Sequence, residues 1–145
     1  MGQAGAPLSR TVHATCVAFQ GQALLITGAS GSGKSTLALE LMARGAALIA
    51  DDRTILTQQG GQLIASCPDT IRGQIEARCV GILCATPAEP TAVALIANLD
   101  HVERERLPRA RQEVIMGQSL PSLHKCEGSH FPAALLQYLK EGRYD

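Results

Sequence analysis

Short apolar runs alternate along the chain with turns marked by glycine and proline, and their lengths point mostly to strands. Residues 11–19 suit a strand, Gln20-Gly21 a turn, and residues 22–27 (Gln-Ala-Leu-Leu-Ile-Thr) the hairpin partner. Over 35–44 the pattern changes. Leu37, Leu39, Leu41 and Met42 recur without a breaker, which predicts a helix stopped by Gly45. A brief apolar strand over 46–50 then runs into Asp51-Asp52, and Gly60-Gly61 joins 53–58 to 62–67 as a second hairpin. Further strands are expected over 75–84 and 91–99, on either side of a proline-containing turn at 87–90. The charged stretch 100–112 reads as a loop or short helix, and Pro132 opens a terminal helix over 132–141. No repeat or low-complexity tract interrupts this order. Strands outnumber helices too far for a doubly wound fold, so the expected class is α/β with a mixed, strand-rich sheet.

Composition narrows the partners. A chain of 145 residues, 46% hydrophobic, predicts a single domain over 1–145 with residues 1–9 as a flexible start. Its 13 basic and 13 acidic residues cancel, which leaves no overall positive field to hold nucleic acid or an anionic membrane. Two Phe, two Tyr and no Trp offer no platform for stacking bases. Cys16, Cys67, Cys79, Cys84 and Cys126 are odd in number and lack paired metal spacing, so they are expected as reduced thiols in a cytoplasmic setting. The first residues show neither a signal peptide nor a Ser or Thr at position 6 for myristoylation, and apolar runs such as 92–97 are too short to cross a bilayer.

The strongest chemical signal is Gly28-Ala29-Ser30-Gly31-Ser32-Gly33-Lys34-Ser35, which fits the phosphate-cradling pattern G-x-x-x-x-G-K-[ST] at every fixed position. It lies between a predicted strand and a predicted helix, the context in which backbone N–H groups converge on phosphates at a helix start. ATP and Mg²⁺ are the cofactors expected. Residues 28–36, Thr36 included, form the nucleotide cradle, with Lys34 reaching the β and γ phosphates and Ser35 offering its hydroxyl to Mg²⁺.

Other candidates depend on this loop for their meaning. Asp51 and Asp52 follow an apolar strand, where one could hold Mg²⁺ through water and the other take a proton from an attacking hydroxyl; otherwise they are a solvated acidic turn. His13 falls at the end of its strand remote from the Gln20-Gly21 turn, a position open to a structural or a catalytic role. Glu76 and Arg78 alternate along a predicted strand and so share a face, where they could bind metal and phosphate or pair with each other. Arg104, Arg106, Arg109 and Arg111 mix with Glu103, Glu105 and Glu113, mostly as a solvated surface, although an arginine on a loop can stabilise a transferring phosphoryl group.

Taken together, Val12-His13, Gly28 to Ser35, Leu37 to Gly45, Leu48 to Asp52 and Glu76-x-Arg78-x-x-Gly81-Ile82 resemble the catalytic domain of HPr kinase/phosphorylase. The resemblance implies a bacterial protein of phosphoenolpyruvate carboxykinase-like fold that phosphorylates a serine of an HPr-like phosphocarrier protein, and often carries out the reverse phosphorolysis. It implies a role in regulating sugar uptake and carbon metabolism, a homohexamer, and the short type without an N-terminal domain. Within it Asp52 is the base, His13 the active-site histidine, Ser35, Glu76 and Asp51 the Mg²⁺ residues, and Arg106 the loop arginine. The chain departs from the family pattern at Cys79, where the signature Glu-x-Arg-Gly-x-Gly expects glycine, and over 117–131, which matches poorly. An ATP-sensing module without transfer chemistry and a small-molecule P-loop kinase are the alternatives.

Overall fold

The computed structural model describes residues 7–145. The expectations about a signal peptide, a myristoylation pattern and most of the flexible start concern residues 1–6, outside the described ones. Past them, the Leu8 carbonyl already accepts the Gln58 N–H at 2.9 Å.

Eleven strands and two helices follow in the order β1 (Ser9–Val12), β2 (Ala14–Phe19), β3 (Gln22–Thr27), α1 (Lys34–Met42), β4 (Ala47–Ala50), β5 (Thr54–Gln59), β6 (Gln62–Ser66), β7 (Gln74–Ala77), β8 (Gly81–Cys84), β9 (Thr91–Val102), β10 (Arg111–Ile115), β11 (Gln118–Lys125) and α2 (Phe131–Glu141). Nine strands form one mixed sheet in the path β1-β5-β6-β9-β3-β2-β4, with β11 added to β9 and β10 to β11; β7 and β8 pair separately. The α/β class with a strand-rich mixed sheet is what the apolar pattern predicted.

The sheet is buried on both faces because its central strands alternate between two cores. In β3, Leu24 and Ile26 join Leu37, Leu41, Leu95, Leu135 and Leu139 beneath the helices, while Ala23 and Leu25 meet Ile49, Leu56, Leu63 and Ile96 on the other side. That explains why the strand reads as nearly continuous apolar sequence. Helix α1 ends at Met42, and the φ of 108° at Gly45 turns the chain so that Ala46 N–H reaches Leu41 O and Gly45 N–H reaches Met42 O, each at 3.1 Å. Among the described residues no helix is long and apolar enough to cross a membrane.

Several boundaries differ from expectation. The strand expected over 11–19 breaks at His13, because β1 pairs with β5 whereas β2 pairs with β3 and β4. The strand over 75–84 is a hairpin, with Ala77 opposite Gly81 and Arg78 in the turn, so Glu76 and Arg78 do not alternate along one strand. Strand β9 continues through Asp100, His101 and Val102, and no helix forms over 100–112; this segment instead leads into the β10–β11 hairpin.

Candidate active site

Two interruptions at one level of the sheet create the site. The antiparallel neighbours β1 and β5 pair up to Val12 opposite Thr54, and β2 and β4 begin pairing at Cys16 opposite Ala50. Between them His13, Ala14 and Thr15 face Asp51, Asp52 and Arg53 across a gap in the ladder. Thr54 Oγ1 donates to Ala14 O at 2.9 Å to close one side of the gap, and Thr15 Oγ1 accepts the Asp52 N–H at 3.0 Å on the other. Asp52 turns there with φ 69°, a left-handed conformation that Asp tolerates better than most residues.

The phosphate loop sits beside this gap because β3 pairs with β2 and ends at Thr27 opposite Ala14. At Gly28, with φ 148°, a Cβ would lie 2.5 Å from Ser32 Oγ, so only glycine lets the loop fold back this tightly. Lys34 is buried at 5% exposure. Its ammonium donates to Gly28 O at 2.9 Å and Ala29 O at 3.2 Å and lies 3.4 Å from His13 Nε2. That same ring nitrogen is 3.4 Å from Asp52 Oδ1. His13 Nε2 can accept from the ammonium or, when protonated, donate to the carboxylate, but not both at once.

The two aspartates have different surroundings. Asp51 Oδ1 accepts Ser35 Oγ at 2.5 Å and Thr15 Oγ1 at 3.1 Å, and Oδ2 accepts the Glu76 N–H at 3.0 Å. Among the described residues the Asp52 carboxylate meets only His13 and is otherwise open to the cleft, with its side chain 56% exposed. The cleft, of about 400 Å³, is lined by loop residues from Ser30 to Thr36 and by Asp51, Asp52, Glu76 and Arg78. Ser35, Asp51 and Glu76 line one space, and the oxygen donors such side chains carry are of the hard kind that suits Mg²⁺, which keeps several waters and shares the rest of its shell with phosphates.

Of the sequence candidates, His13, the cradle residues, Asp51, Asp52 and Glu76 are brought together. Arg78 also lines the cleft, and among the described residues no ion pair joins it to Glu76. Arg106 lies on the loop after β9, outside the residues lining the cleft. In the same stretch Arg111 is committed to Glu103, 3.0 Å away.

Sequence reasoning passed over Thr15 and Asp100. Asp100 Oδ1 accepts the Ala29 N–H at 2.9 Å and anchors the phosphate loop to β9. Behind it the Asp100 N–H donates to Asn98 Oδ1, and Asn98 Nδ2 donates to Glu113 Oε1, each at 3.0 Å. An acidic residue directly after an apolar strand was the available signal at Asp100, as it was at Asp51. Thr15 offered none beyond a hydroxyl in an apolar strand.

A family model described as the HPr Serine kinase C-terminal domain matches residues 6–88. A Brevibacillus brevis protein named HPr kinase/phosphorylase is 47% identical over 94 residues, 63% of this chain and 30% of that protein. One of the same name from Clostridium botulinum is 39% identical over 103 residues, 66% of this chain and 34% of its own length. The chain thus spans about a third of these curated relatives. The solved Hpr(Ser) kinase/phosphatase of Coxiella burnetii superposes with a TM-score of 0.74 at 27% identity, covering 90% of this chain and 88% of that one.

Proposed function

The chain belongs to the HPr serine kinase C-terminal domain family, and from that premise we propose that it transfers the γ phosphoryl group of ATP to a serine of an HPr-like phosphocarrier protein. The observation that carries this reading is the division of labour between the aspartates. Asp51 accepts three donors and keeps one acceptor site, which fits a carboxylate that positions charge. Asp52 is free on its cleft side and faces His13, which fits a base.

In this mechanism the acceptor serine Oγ attacks the γ phosphorus in line while its proton passes to Asp52, and the bond from the γ phosphorus to the bridging oxygen of ADP breaks. Lys34 turns from the loop carbonyls to the β and γ phosphates, where its charge offsets the negative charge gathering on the leaving oxygen. His13 holds the Asp52 carboxylate and fixes which oxygen faces the serine. Arg78 stands on the cleft wall to meet the phosphoryl oxygens; Arg106 would have to arrive by loop movement. When bound at Ser35, Asp51 and Glu76, Mg²⁺ would neutralise the phosphate oxygens. With inorganic phosphate as the acceptor, its oxygen attacks the phosphoserine phosphorus, the bond to the serine Oγ breaks as Asp52 returns a proton to that oxygen, and pyrophosphate leaves, which is phosphorolysis by the same groups. The family reading extends to a homohexamer, to action in the cytoplasm, and to regulation of carbon metabolism.

Asp52→Asn is the informative variant, since Asn also tolerates the left-handed backbone at this position. With Mg-ATP and an HPr-like protein, phosphoserine formation should fall by about 10²–10⁴-fold while ATP binding persists. Transfer at the wild-type rate would remove Asp52 as base. A wild-type protein that binds ATP through Lys34 yet transfers nothing would instead be an ATP-sensing module.

A further inference from the structure

The loop that carries Arg106 is held at its base and at its tip. At the base the Glu103 N–H donates to Lys125 O at 2.8 Å. The Glu103 carboxylate accepts Arg111 Nη2 at 3.0 Å and the N–H groups of Arg104 and Glu105 at 3.1 and 3.2 Å. At the tip Pro108 O accepts Arg143 Nη2 at 2.9 Å. Among the described residues this is the one hydrogen bond that reaches 106–109. Burial agrees with it: Pro108 is half-buried, whereas Arg106, Leu107 and Arg109 around it are exposed.

Arg143 reaches the loop from a fixed platform. Leu135 and Leu139 seat α2 in the core, Gln22 Nε2 donates to Leu139 O, and Gly142, with φ 78°, turns the chain off the helix while its N–H caps Tyr138 O at 2.7 Å. Asp145 Oδ1 accepts Arg143 Nε at 3.0 Å, so the planar guanidinium is gripped by Asp145 and Pro108 together. Only 22% of the Arg143 side chain is exposed.

We propose that Arg143 is a positioning residue that holds the 104–110 loop withdrawn, and that Arg106 enters the cleft only in molecules where Arg143 has released Pro108. The inference rests on the reading given above, in which Arg106 meets the phosphoryl group. The base of the loop is near enough for this. Lys125, whose carbonyl holds Glu103, also donates through Nζ to Ser32 O at 3.4 Å, so one lysine side chain separates the base from the phosphate loop. Three residues of extended chain from Glu103 cover about 10 Å, which brings Arg106 to the phosphate loop once the tip is free. With the tip bound, Arg106 stands outside the cleft lining. The Arg143 bond therefore stabilises the withdrawn state alone, and its loss favours the other.

One hydrogen bond of this kind shifts an equilibrium by about threefold to tenfold. Arg143→Ala should raise kcat for phosphoserine formation on an HPr-like protein by about that factor, with KM for ATP unchanged. Arg143→Lys keeps a donor and should stay near wild type. In an Arg106→Ala background, Arg143→Ala should change nothing, an outcome that a merely structural role would not produce. Trypsin reads the loop without any transfer. Cleavage after Arg106 and Arg109 should be about threefold to tenfold faster in Arg143→Ala, while cleavage after Arg44, exposed beyond α1, stays unchanged and shows that the variant is folded. Unchanged loop cleavage, or a rise in kcat that persists without Arg106, overturns the role of Arg143 alone. An Arg106→Ala protein that transfers at the wild-type rate removes the part played by Arg106 and this inference with it, and a wild type that transfers nothing overturns the kinase reading as a whole.

Discussion

Thr15 shows how much one hydroxyl can organise. It is fully buried in β2, donates to Asp51 and accepts from the Asp52 backbone, so a single oxygen ties the Asp51 carboxylate and the Asp52 main chain to the sheet. Thr15→Val preserves shape and β-branching but leaves the Asp52 N–H without its acceptor and Asp51 with two donors in place of three. The expected cost is about 1–3 kcal/mol of stability, read from urea midpoints, together with a lower rate of phosphoryl transfer. Thr15→Ser keeps the oxygen and should restore most of the rate. If Val and Ser behaved alike, the hydroxyl would have no positioning role and the loss would belong to packing.

At the scale of elements, the β7–β8 hairpin carries the departure from the family signature. Its turn is closed by the Val80 N–H donating to Ala77 O at 3.0 Å, and Cys79 occupies it with φ 68°, a conformation that glycine adopts without strain. The glycine expected here thus has a backbone reason, and Cys79 is a strained replacement pointing to solvent rather than a block on the cleft. Relief of left-handed strain is worth about 1–2 kcal/mol, and the added freedom of glycine in the unfolded chain takes back about 0.4–1 kcal/mol. Cys79→Gly should therefore raise stability by about 0–1.6 kcal/mol, seen as a small rise in Tm; a fall in Tm would mean that the side chain makes a contact worth more than the strain. This turn was illegible in the sequence because Arg78-Cys79-Val80 has no turn residue. The hairpins at Gln20-Gly21 and Gly60-Gly61, the strand–loop–helix around Lys34 and helix α2 were legible because glycine, proline and apolar period act locally. The break at His13 and the extension of β9 depend on which strand pairs where, and the apolar pattern of one segment does not encode that. The site divides along the same line. The cradle, Asp51, Asp52 and Glu76 carry local signatures, whereas Thr15 and Asp100 act on partners 36 and 71 positions away.

Across the whole molecule, the family model stops at residue 88, yet the chain beyond it is not an appendage. Strand β9 pairs with β6 and β3 of the first part and with β11 of the second, and α2 packs Leu135 and Leu139 into the same core as Leu24 and Leu41. Both parts should therefore unfold together. Acid offers a way to load only the second part. Burial, then Arg111 and His101, holds the His124 imidazole below its ordinary value of 6.5 against the opposing pull of Glu103 and Glu113. A histidine with a depressed folded pKa binds its proton more readily when unfolded, so its contribution to stability is complete above pH 6.5 and is lost as pH falls below that value towards the folded pKa. Glu103 adds a second step in the same direction. Desolvation opposes its ionisation, but the Glu105 N–H and Arg111 outweigh that and hold it below 4.5, so its contribution is lost as pH falls from there through the folded pKa. Urea midpoints should thus decline as pH falls below 6.5, and His124→Gln should flatten that decline. The decisive comparison is between two probes: far-UV circular dichroism for the whole sheet and alkylation of Cys16, fully buried in β2. One shared midpoint that moves with pH fits a single cooperative unit. A Cys16 midpoint that stays fixed while the dichroism shifts would mean that β9 does not couple the two parts and that residues 89–145 unfold separately.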